Sequence, residues 1–214
     1  MISKLKTVIK ITIYRIVDLF IKPSKKIKPK SLLLIRLDGI GDYVLFRNFI
    51  EVLKKNNKYK GYSITLLGNS VWKSLSKELD DEHVDNFIWL ERNRFYNNLF
   101  YRYKKLQELV SNGYEIILSP IYSRETYIAD NIVKLITAKE KIGSIGNLSN
   151  IKKWQKNISD KYYTKLIYAK KELMFEFYRN KEFFEYLLDT KIDIIKPRIS
   201  LKNKKLEHQL PRKY

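Results

Sequence analysis

Short apolar runs alternate with segments of helical periodicity from residue 31 onward, and this alternation constrains the fold more than any other feature of the sequence. The first run, residues 31–37, is nearly continuous in apolar residues, which is typical of a strand buried on both faces. Further runs predict strands at residues 62–67, 84–90, 114–119 and 140–145. Helical spacing predicts helices at residues 42–56, 70–79, 94–111 and 124–137. The pattern predicts an α/β fold, a Rossmann-like parallel sheet with helices on both faces.

The loops that follow the strands are where this fold class places its ligands. In open parallel sheets, ligands bind beyond the carboxyl ends of the strands. We therefore expect the functional site among the loops at residues 38–42, 68–70, 91–93 and 120–124.

The loop after the first strand reads RLDGIGD over residues 36–42 and carries two glycines. Two glycines allow a tight turn and a close approach by a ligand. A dinucleotide fingerprint needs a third glycine, at the position of Val44, and a helix N-terminus open to phosphate. Asp38 and Asp42 would repel a phosphate there, and no Gly-Lys-Ser/Thr step follows that would make a P-loop. The loop therefore matches neither of these phosphate-binding motifs.

Asp42 stands at the predicted N-terminus of the helix that follows this loop, where three roles are open to a carboxylate. It can cap the helix, a role worth about 0.5–2 kcal/mol. It can bind a cation, although no second acidic cluster supports that role. It can also act as a general base toward a substrate hydroxyl. From the residues alone, capping is favoured over catalysis.

The stretch LLIRLDGIGDYVL, residues 33–45, resembles the opening of glycosyltransferase family nine, the ADP-heptose:lipopolysaccharide heptosyltransferases and their relatives. Members of that family begin with an apolar strand, then a short polar loop that ends in Gly-Asp, then an apolar helix. Further features follow in the family's order: the runs at 64–68, 84–90 and 114–118, the Ser123-Arg124 step, and Lys141-Ile142-Gly143. The resemblance spans residues 31–146.

The resemblance implies a two-lobed GT-B glycosyltransferase, whose N-terminal lobe holds the sugar acceptor and whose C-terminal lobe holds the nucleotide-sugar donor. It implies transfer with inversion at the anomeric carbon, with no required metal and no cofactor. By the same resemblance, Asp42 is the base that deprotonates the acceptor hydroxyl. The acceptor is implied to be lipopolysaccharide or another surface glycan, presented as a glycolipid or an oligosaccharide. The residues implied in acceptor binding are Arg36, Asp38, Gly39, Gly41 and Arg124.

The sequence divides into five parts: a basic amphipathic helix at 1–22, a polybasic linker at 23–30, the acceptor-side domain at 31–165, a connecting helix at 166–190, and a polar segment at 191–214. We expect the last part to be either the truncated start of a second lobe, with a strand at 192–199, or a disordered tail. The chain looks too short for a complete enzyme. The donor site is therefore expected to be missing from it, and the isolated chain is expected to be inactive.

The first 21 residues carry apolar side chains along one helical face, but lysines interrupt the segment too often for a membrane span. A basic run follows at Lys22, Lys25, Lys26, Lys28 and Lys30. We favour a helix that lies in the interface of an anionic membrane, and we leave open a helix that packs on the domain's own surface. The expected location is the inner face of the cytoplasmic membrane, where the protein would be peripheral.

The formal net charge of +20 implies an anionic partner or reflects a lysine-rich composition. Nucleic acid is not favoured as that partner, because no helix-turn-helix, zinc or RNA-recognition pattern is present.

The chain has no cysteine, which excludes disulfides and cysteine-based metal sites. His83 and the three acids before it, Asp80, Asp81 and Glu82, are interpreted as a solvated loop rather than a metal site. Trp72, Trp89 and Trp154 are expected to be core or half-buried residues. The alternative function is a non-catalytic basic module that binds a membrane surface.

Overall fold

The computed structural model describes residues 2–199 of the 214-residue chain, with side-chain burial and contacts from residue 11 onward. Within this part, six parallel strands form one sheet: β1 (Ile27–Arg36), β2 (Ser63–Asn69), β3 (Asn86–Leu90), β4 (Gly113–Ser119), β5 (Ala138–Ser144) and β6 (Lys165–Ile167). Their order across the sheet is β3-β2-β1-β4-β5-β6. The chain therefore moves outward from β1 to β3 and returns to the centre for β4, so the strand order reverses between β1 and β4. The predicted parallel sheet is confirmed.

Helices cover both faces of this sheet, as the sequence pattern predicts. In chain order they are α1 (Ile2–Leu19), α2 (Ile40–Phe46), α3 (Asn48–Lys55), α4 (Lys73–Asp80), α5 (Arg92–Asn97), α6 (Leu99–Val110), α7 (Ala129–Leu135), α8 (Lys153–Ser159) and α9 (Glu176–Leu188). Leu32 and Leu34 of β1 face a core built with α2, α3 and α9. Leu33 and Ile35 face the opposite core, built with α6 and α7. This two-sided burial is why the first apolar run shows no alternation.

The tryptophans occupy three different environments. Trp72 is fully buried and Trp89 is half-buried, in line with expectation, whereas Trp154 on α8 is exposed. Trp72 stacks on Tyr43 with ring centroids 4.4 Å apart, and its indole N–H donates to the Asp38 carbonyl oxygen at 3.1 Å. Trp72 thereby joins the core to the loop after β1.

The predicted helix at residues 42–56 is two helices that meet at Arg47. The Arg47 guanidinium donates to the Leu79 carbonyl oxygen at 3.1 Å and pairs with Asp80 at 2.9 Å. Asp80 is fully buried and also accepts a hydrogen bond from the Tyr43 hydroxyl, so its expected place in a solvated loop is wrong. Burial raises the pKa of Asp80, although Tyr43 and Arg47 oppose the shift. The predicted helix at 94–111 is likewise divided, at Asn98, whose side chain accepts from the Tyr101 N–H at 2.8 Å.

The first helix packs on the domain, which is the arrangement that the sequence left open. Tyr14 is buried, its hydroxyl donates to the Tyr96 carbonyl oxygen, and its ring contacts those of Tyr96 and Tyr127. Asp18 accepts from the Asn131 side chain at 3.2 Å. Asp18 also lies 3.8 Å from Arg102, so α1 packs against α5, α6 and α7. In the described part of the chain, no helix is both long and apolar enough to cross a membrane.

The sheet takes in part of the expected linker. β1 begins at Ile27, before the predicted start at residue 31, because Ile27 and Lys28 already pair with β4. The pairing then shifts register before Leu32, where Lys30 has a left-handed φ of 48°. The lysines of this segment are thus fixed at the amino end of the central strand.

The C-terminal part differs most from expectation. β6 and α8 were not predicted, and the connecting helix expected at 166–190 begins only at Glu176, as α9. The expected strand at 192–199 is wrong: Ile192 is buried, but the Arg198 carbonyl oxygen accepts from the side chains of Arg47 and Asn48 instead of pairing with a strand. The rest of the expected tail, residues 200–214, lies outside the described residues.

Candidate functional site

A cavity of about 950 Å³ lies at the carboxyl ends of the strands, beside the point where the strand order reverses. Every strand from β1 to β5 contributes to its wall, through Gly39 after β1, Asn69 at the end of β2, Arg92 after β3, Glu125 after β4 and Asn150 after β5. Three of the four expected loops therefore line it. From the fourth, the residues just past Arg124 do so. This is the position at which open parallel sheets bind ligands.

The loop after β1 is held from both ends by buried contacts. Arg36 is almost fully buried, pairs with Asp38 at 3.0 Å and with Glu176 of α9 at 2.9 Å, and donates to Asn180 at 3.1 Å. The carbonyl oxygen of Asp38 accepts from the Asn69 side chain at 3.2 Å. These contacts fix the loop to α9 on one side and to β2 on the other.

The two glycines of this loop are not explained by the protein around them. Gly39 has φ −69°, in extended backbone that any residue adopts. A Cβ atom on Gly39 would only touch the Asp42 carboxylate at 3.5 Å, and one on Gly41 would meet nothing within 4 Å. Both residues are exposed. Neither backbone strain nor packing therefore requires a glycine at either position.

Asp42 is the third residue of α2 and is partly exposed. One of its carboxylate oxygens accepts from the Gly39 N–H at 3.1 Å, which is the contact expected of a capping carboxylate. Its other oxygen meets no protein donor among residues 11–199. Asp42 does not line the cavity itself. Gly39, whose N–H donates a hydrogen bond to Asp42, does line it. The geometry is compatible with both capping and catalysis, so its role as base stays a prediction.

Glu125 and Arg92 form an ion pair inside the cavity and were not singled out by the sequence analysis. Burial raises the pKa of Glu125, Arg92 lowers it, and the negative charges of Asp38 and Asp130 raise it further; the net shift is upward. A carboxyl group with a raised pKa beside a cation in a cleft is a candidate for acid–base work or for substrate binding.

The remaining wall of the cavity is rich in groups that suit a sugar. Amide side chains line it, including Asn93 and Gln155, together with the hydroxyl-bearing Thr126. Tyr127 accepts from Gln155 at 3.2 Å, and Tyr96 contributes an aromatic surface that is partly exposed. Amides and hydroxyls can donate to and accept from sugar hydroxyls, and aromatic rings can cover their apolar faces.

Arg36 and Arg124, both expected to bind the acceptor, are engaged inside the fold. Arg124 is fully buried: its guanidinium pairs with Asp130 at 3.1 Å and with Asp160 at 2.7 Å, and donates to Ser159 at 2.8 Å. Neither arginine lines the cavity. The geometry gives both a structural role, and their expected contacts with an acceptor stay predictions that no contact in the structure supports.

The cavity residues that the sequence did not predict lie in two places, before α7 and after β5. The expected helix at 124–137 begins only at Ala129, which leaves residues 125–128 as an irregular segment that lines the cavity. Asn150 and Gln155 follow β5, where the sequence pattern loosens. The signal that pointed toward Glu125 was the Ser123-Arg124 step directly before it. Among residues 11–199, no group of three His, Asp or Glu side chains is placed to hold a metal.

Comparison with known proteins finds likeness in structure alone. No protein-family model matches the chain, and no curated protein matches its sequence. The structure matches E. coli heptosyltransferase WaaC with ADP-2-deoxy-2-fluoro heptose, with a TM-score of 0.57 and 13% sequence identity, over 79% of this chain and 50% of that chain. It matches the same enzyme with ADP at a TM-score of 0.56 and 13% identity, over 80% of this chain and 50% of that chain.

The chain thus spans about half the length of the enzyme that it matches. At this level of identity the likeness concerns the fold. The chain has the α/β, Rossmann-like architecture that is found in a GT-B glycosyltransferase.

Proposed function

We propose that this chain is the acceptor-binding lobe of a glycosyltransferase of the heptosyltransferase type. The observation that carries the proposal is the cavity at the carboxyl ends of β1–β5, set in a fold that matches WaaC and bordered by the loop whose sequence resembles that family. Its amide, hydroxyl and tyrosine lining suits a sugar acceptor. The nucleotide-sugar donor would be held by a second lobe, as the resemblance implies.

In the proposed reaction, Asp42 accepts the proton of an acceptor hydroxyl. The hydroxyl oxygen then attacks the anomeric carbon of the donor sugar, and the bond to the nucleoside diphosphate breaks with inversion. Gly39 and Gly41 leave room for the acceptor beside this carboxylate. The Gly39 N–H bonded to Asp42 orients the carboxylate.

The two arginines of the cavity, each beside a glutamate, can bind hydroxyl or acid groups of an acceptor. Arg92 is paired with Glu125, and Arg94 lies 3.4 Å from Glu91 and over the ring of Tyr101, so both guanidinium groups are oriented before a ligand binds. Phosphate or carboxylate groups of a lipopolysaccharide-like glycolipid would be suitable partners. We place the reaction on the cytoplasmic face of the membrane.

The proposal is tested by a transfer assay on the protein isolated from its source cells with whatever partners it retains. Release of nucleoside diphosphate from ADP-heptose and other nucleotide sugars is measured with glycolipid extracted from the same cells. We expect Asp42→Asn to lower kcat by about 10²–10⁴-fold, because the general base is lost. Asp193→Asn, which changes an exposed aspartate, is the matched control and is expected to leave the rate unchanged.

Circular dichroism and urea unfolding test whether the Asp42 variant folds. If Glu125→Gln abolishes transfer while Asp42→Asn keeps full activity, the general base is Glu125 and not Asp42. Absence of transfer from every nucleotide sugar would reject the proposed function.

A further inference from the structure

α1 exposes an apolar stripe on the side that faces away from the domain. Ile16, Leu19 and Phe20 are 50%, 82% and 65% exposed, whereas Tyr14 is buried against the domain. Phe20 lies in the turn that directly follows α1, where its N–H donates to the Val17 carbonyl oxygen at 3.1 Å. Positions i, i+3 and i+4 of a helical turn lie on one side, so these three side chains form a continuous strip. A helix that only packs on its own domain would turn polar side chains to solvent here. The stripe therefore indicates a second partner.

A set of cations continues this surface beyond the end of the helix. Lys22, Lys25, Lys26, Lys28 and Lys30 are all exposed. Residues 1–30 contain nine Lys and Arg residues but only one acid, Asp18. Asp18 is turned inward, 3.8 Å from Arg102 and 3.7 Å from Lys134, so its charge does not offset the exposed lysines.

A second helix adds apolar groups beside α1. Trp154 and Ile158 of α8 are exposed, and they line the same small crevice as Ile11 and Arg15 of α1. Tryptophan is enriched where proteins meet the headgroup region of a bilayer, since its ring is apolar and its N–H is polar.

We infer that this surface, the α1 face (Ile16, Leu19, Phe20, Trp154, Ile158 and the lysines at 22–30), docks on an anionic lipid bilayer. α1 lies in the plane of the interface, with its apolar stripe at the boundary of headgroups and acyl chains and its lysines at the lipid phosphates. A bilayer is favoured over a protein partner because the charged side chains that are exposed within residues 11–30 are all Lys or Arg, and they adjoin the apolar stripe. The inference does not depend on the proposed transferase function.

The docking also places the cavity near the lipid. Tyr14 of α1 contacts Tyr96 and Tyr127, and both of these line the cavity. A bilayer along α1 therefore lies beside the cavity, within reach of a glycolipid headgroup. This last consequence rests on the proposed function.

The test is the partition of the full chain onto vesicles of phosphatidylcholine alone and of phosphatidylcholine mixed with phosphatidylglycerol, measured by co-sedimentation. We expect strong binding to the mixed vesicles and weak binding to the neutral ones. Replacing Ile16, Leu19 and Phe20 by Gln is expected to lower the partition coefficient by at least about 10-fold. The matched control replaces Leu173, Phe175 and Ile195, which are also exposed, by Gln and should bind like the wild type.

The charge contribution is tested with a second matched pair. Replacing Lys22, Lys25, Lys26 and Lys28 by Gln is expected to lower the partition coefficient by at least about 100-fold. The control makes the same change in net charge on other surfaces: Lys60, Lys165, Lys171 and Lys191 to Gln, all of which are exposed. Equal losses in both quartets would show non-specific attraction of a basic protein and would overturn the inference.

Trp154 reports the geometry directly. Lipids brominated near the headgroup should quench tryptophan fluorescence on binding. Trp154→Phe should remove that quenching, because Trp72 is buried and Trp89 is half-buried against the core on the opposite face of the sheet. If the wild type does not bind vesicles, the inference is wrong. If the chain self-associates and the variant of Ile16, Leu19 and Phe20 does not, the partner of this surface is a second copy of the chain and not a bilayer. Transfer to a soluble acceptor fragment, measured without membranes, tests the proposed function separately.

Discussion

Two loops flank the reversal point of the sheet, and each contains a buried arginine close to a carboxylate. Arg36 ends β1 and leads into the loop that carries Asp42, while Arg124 follows β4 and directly precedes Glu125. In both loops the arginine fixes the backbone from which the carboxylate projects. Ion pairs of a buried arginine therefore contribute to the position of both loops at this edge of the sheet.

The two arginines differ in the acids that hold them. Asp38 and Glu176, which pair with Arg36, are 25% and 30% exposed. Arg124 pairs with Asp160, which is 29% exposed, but also with Asp130, which is fully buried. Water can solvate the first two carboxylates if their arginine is lost, but it cannot reach Asp130. The β4 loop is therefore held by an ion pair inside the core, whereas the β1 loop is held by ion pairs that solvent reaches. We expect the β1 loop to be the one that changes conformation when a ligand binds.

The largest expected effect is on stability. Arg124→Ala leaves the Asp130 charge buried without a cation, with the Tyr163 hydroxyl as its remaining side-chain donor, and is expected to lower the free energy of unfolding by about 3–5 kcal/mol. Arg36→Ala leaves carboxylates that water reaches, so we expect a loss of about 2 kcal/mol. Urea unfolding followed by circular dichroism measures both.

The same measurement contains its own control. The double variant Arg124→Met, Asp130→Leu removes both charges and should recover a large part of the loss, because no buried charge is left alone. Equal losses for Arg36→Ala and Arg124→Ala would remove the distinction between the two loops.

The strands and loops that surround the site could be predicted from the sequence, but most of the side chains that line the cavity could not. Apolar runs such as Leu32–Ile35 identify buried strands, and the order of strands and helices then fixes which loops share an edge. It could not show that Arg124 faces Asp130 inside the fold, because that contact depends on how the loop turns back onto α7. Nor could it show that Glu125 remains outside the helix that begins at Ala129. These features are decided by tertiary packing and leave no periodic signal in the chain.

Glycines offer a smaller test of the same contrast. Gly146 has φ +66°, and a Cβ atom there would lie 2.7 Å from the Tyr122 carbonyl oxygen, so Gly146→Ala is expected to destabilise the β4 side by about 1–3 kcal/mol. Gly41→Ala adds a methyl group in open space within α2 and is expected to be neutral or stabilising by up to about 1 kcal/mol. If Gly41 is reserved for a ligand, the stable variant should nevertheless transfer sugar more slowly. A stable Gly41→Ala variant with wild-type kcat and KM would show that the glycine leaves no space that the acceptor uses.

The smallest expected effect is the pH dependence that Glu125 gives to the β4 side. Burial raises its pKa above the ordinary value for glutamate, so the folded protein holds this proton more tightly than the unfolded chain does. The contribution of Glu125 to stability therefore falls as the pH rises from the ordinary value through the raised one, and it is constant above that window. Glu125→Gln is always neutral and lacks this loss. Its stability relative to the wild type should accordingly increase across the window, by less than about 1 kcal/mol because the carboxyl group is partly exposed and paired with Arg92.

Urea unfolding of Glu125→Gln and the wild type at a series of pH values measures this difference. Glu91→Gln, which removes an exposed carboxylate from the rim of the same cavity, is the control for the loss of one negative charge. A relative stability that decreases with rising pH would mean that attraction to Arg92 outweighs burial. The ion pair would then keep Glu125 in its anionic form. Glu125 and Asp42 would in that case differ in what binds their carboxylates, a guanidinium for Glu125 and the Gly39 N–H for Asp42, and not in the effect of burial.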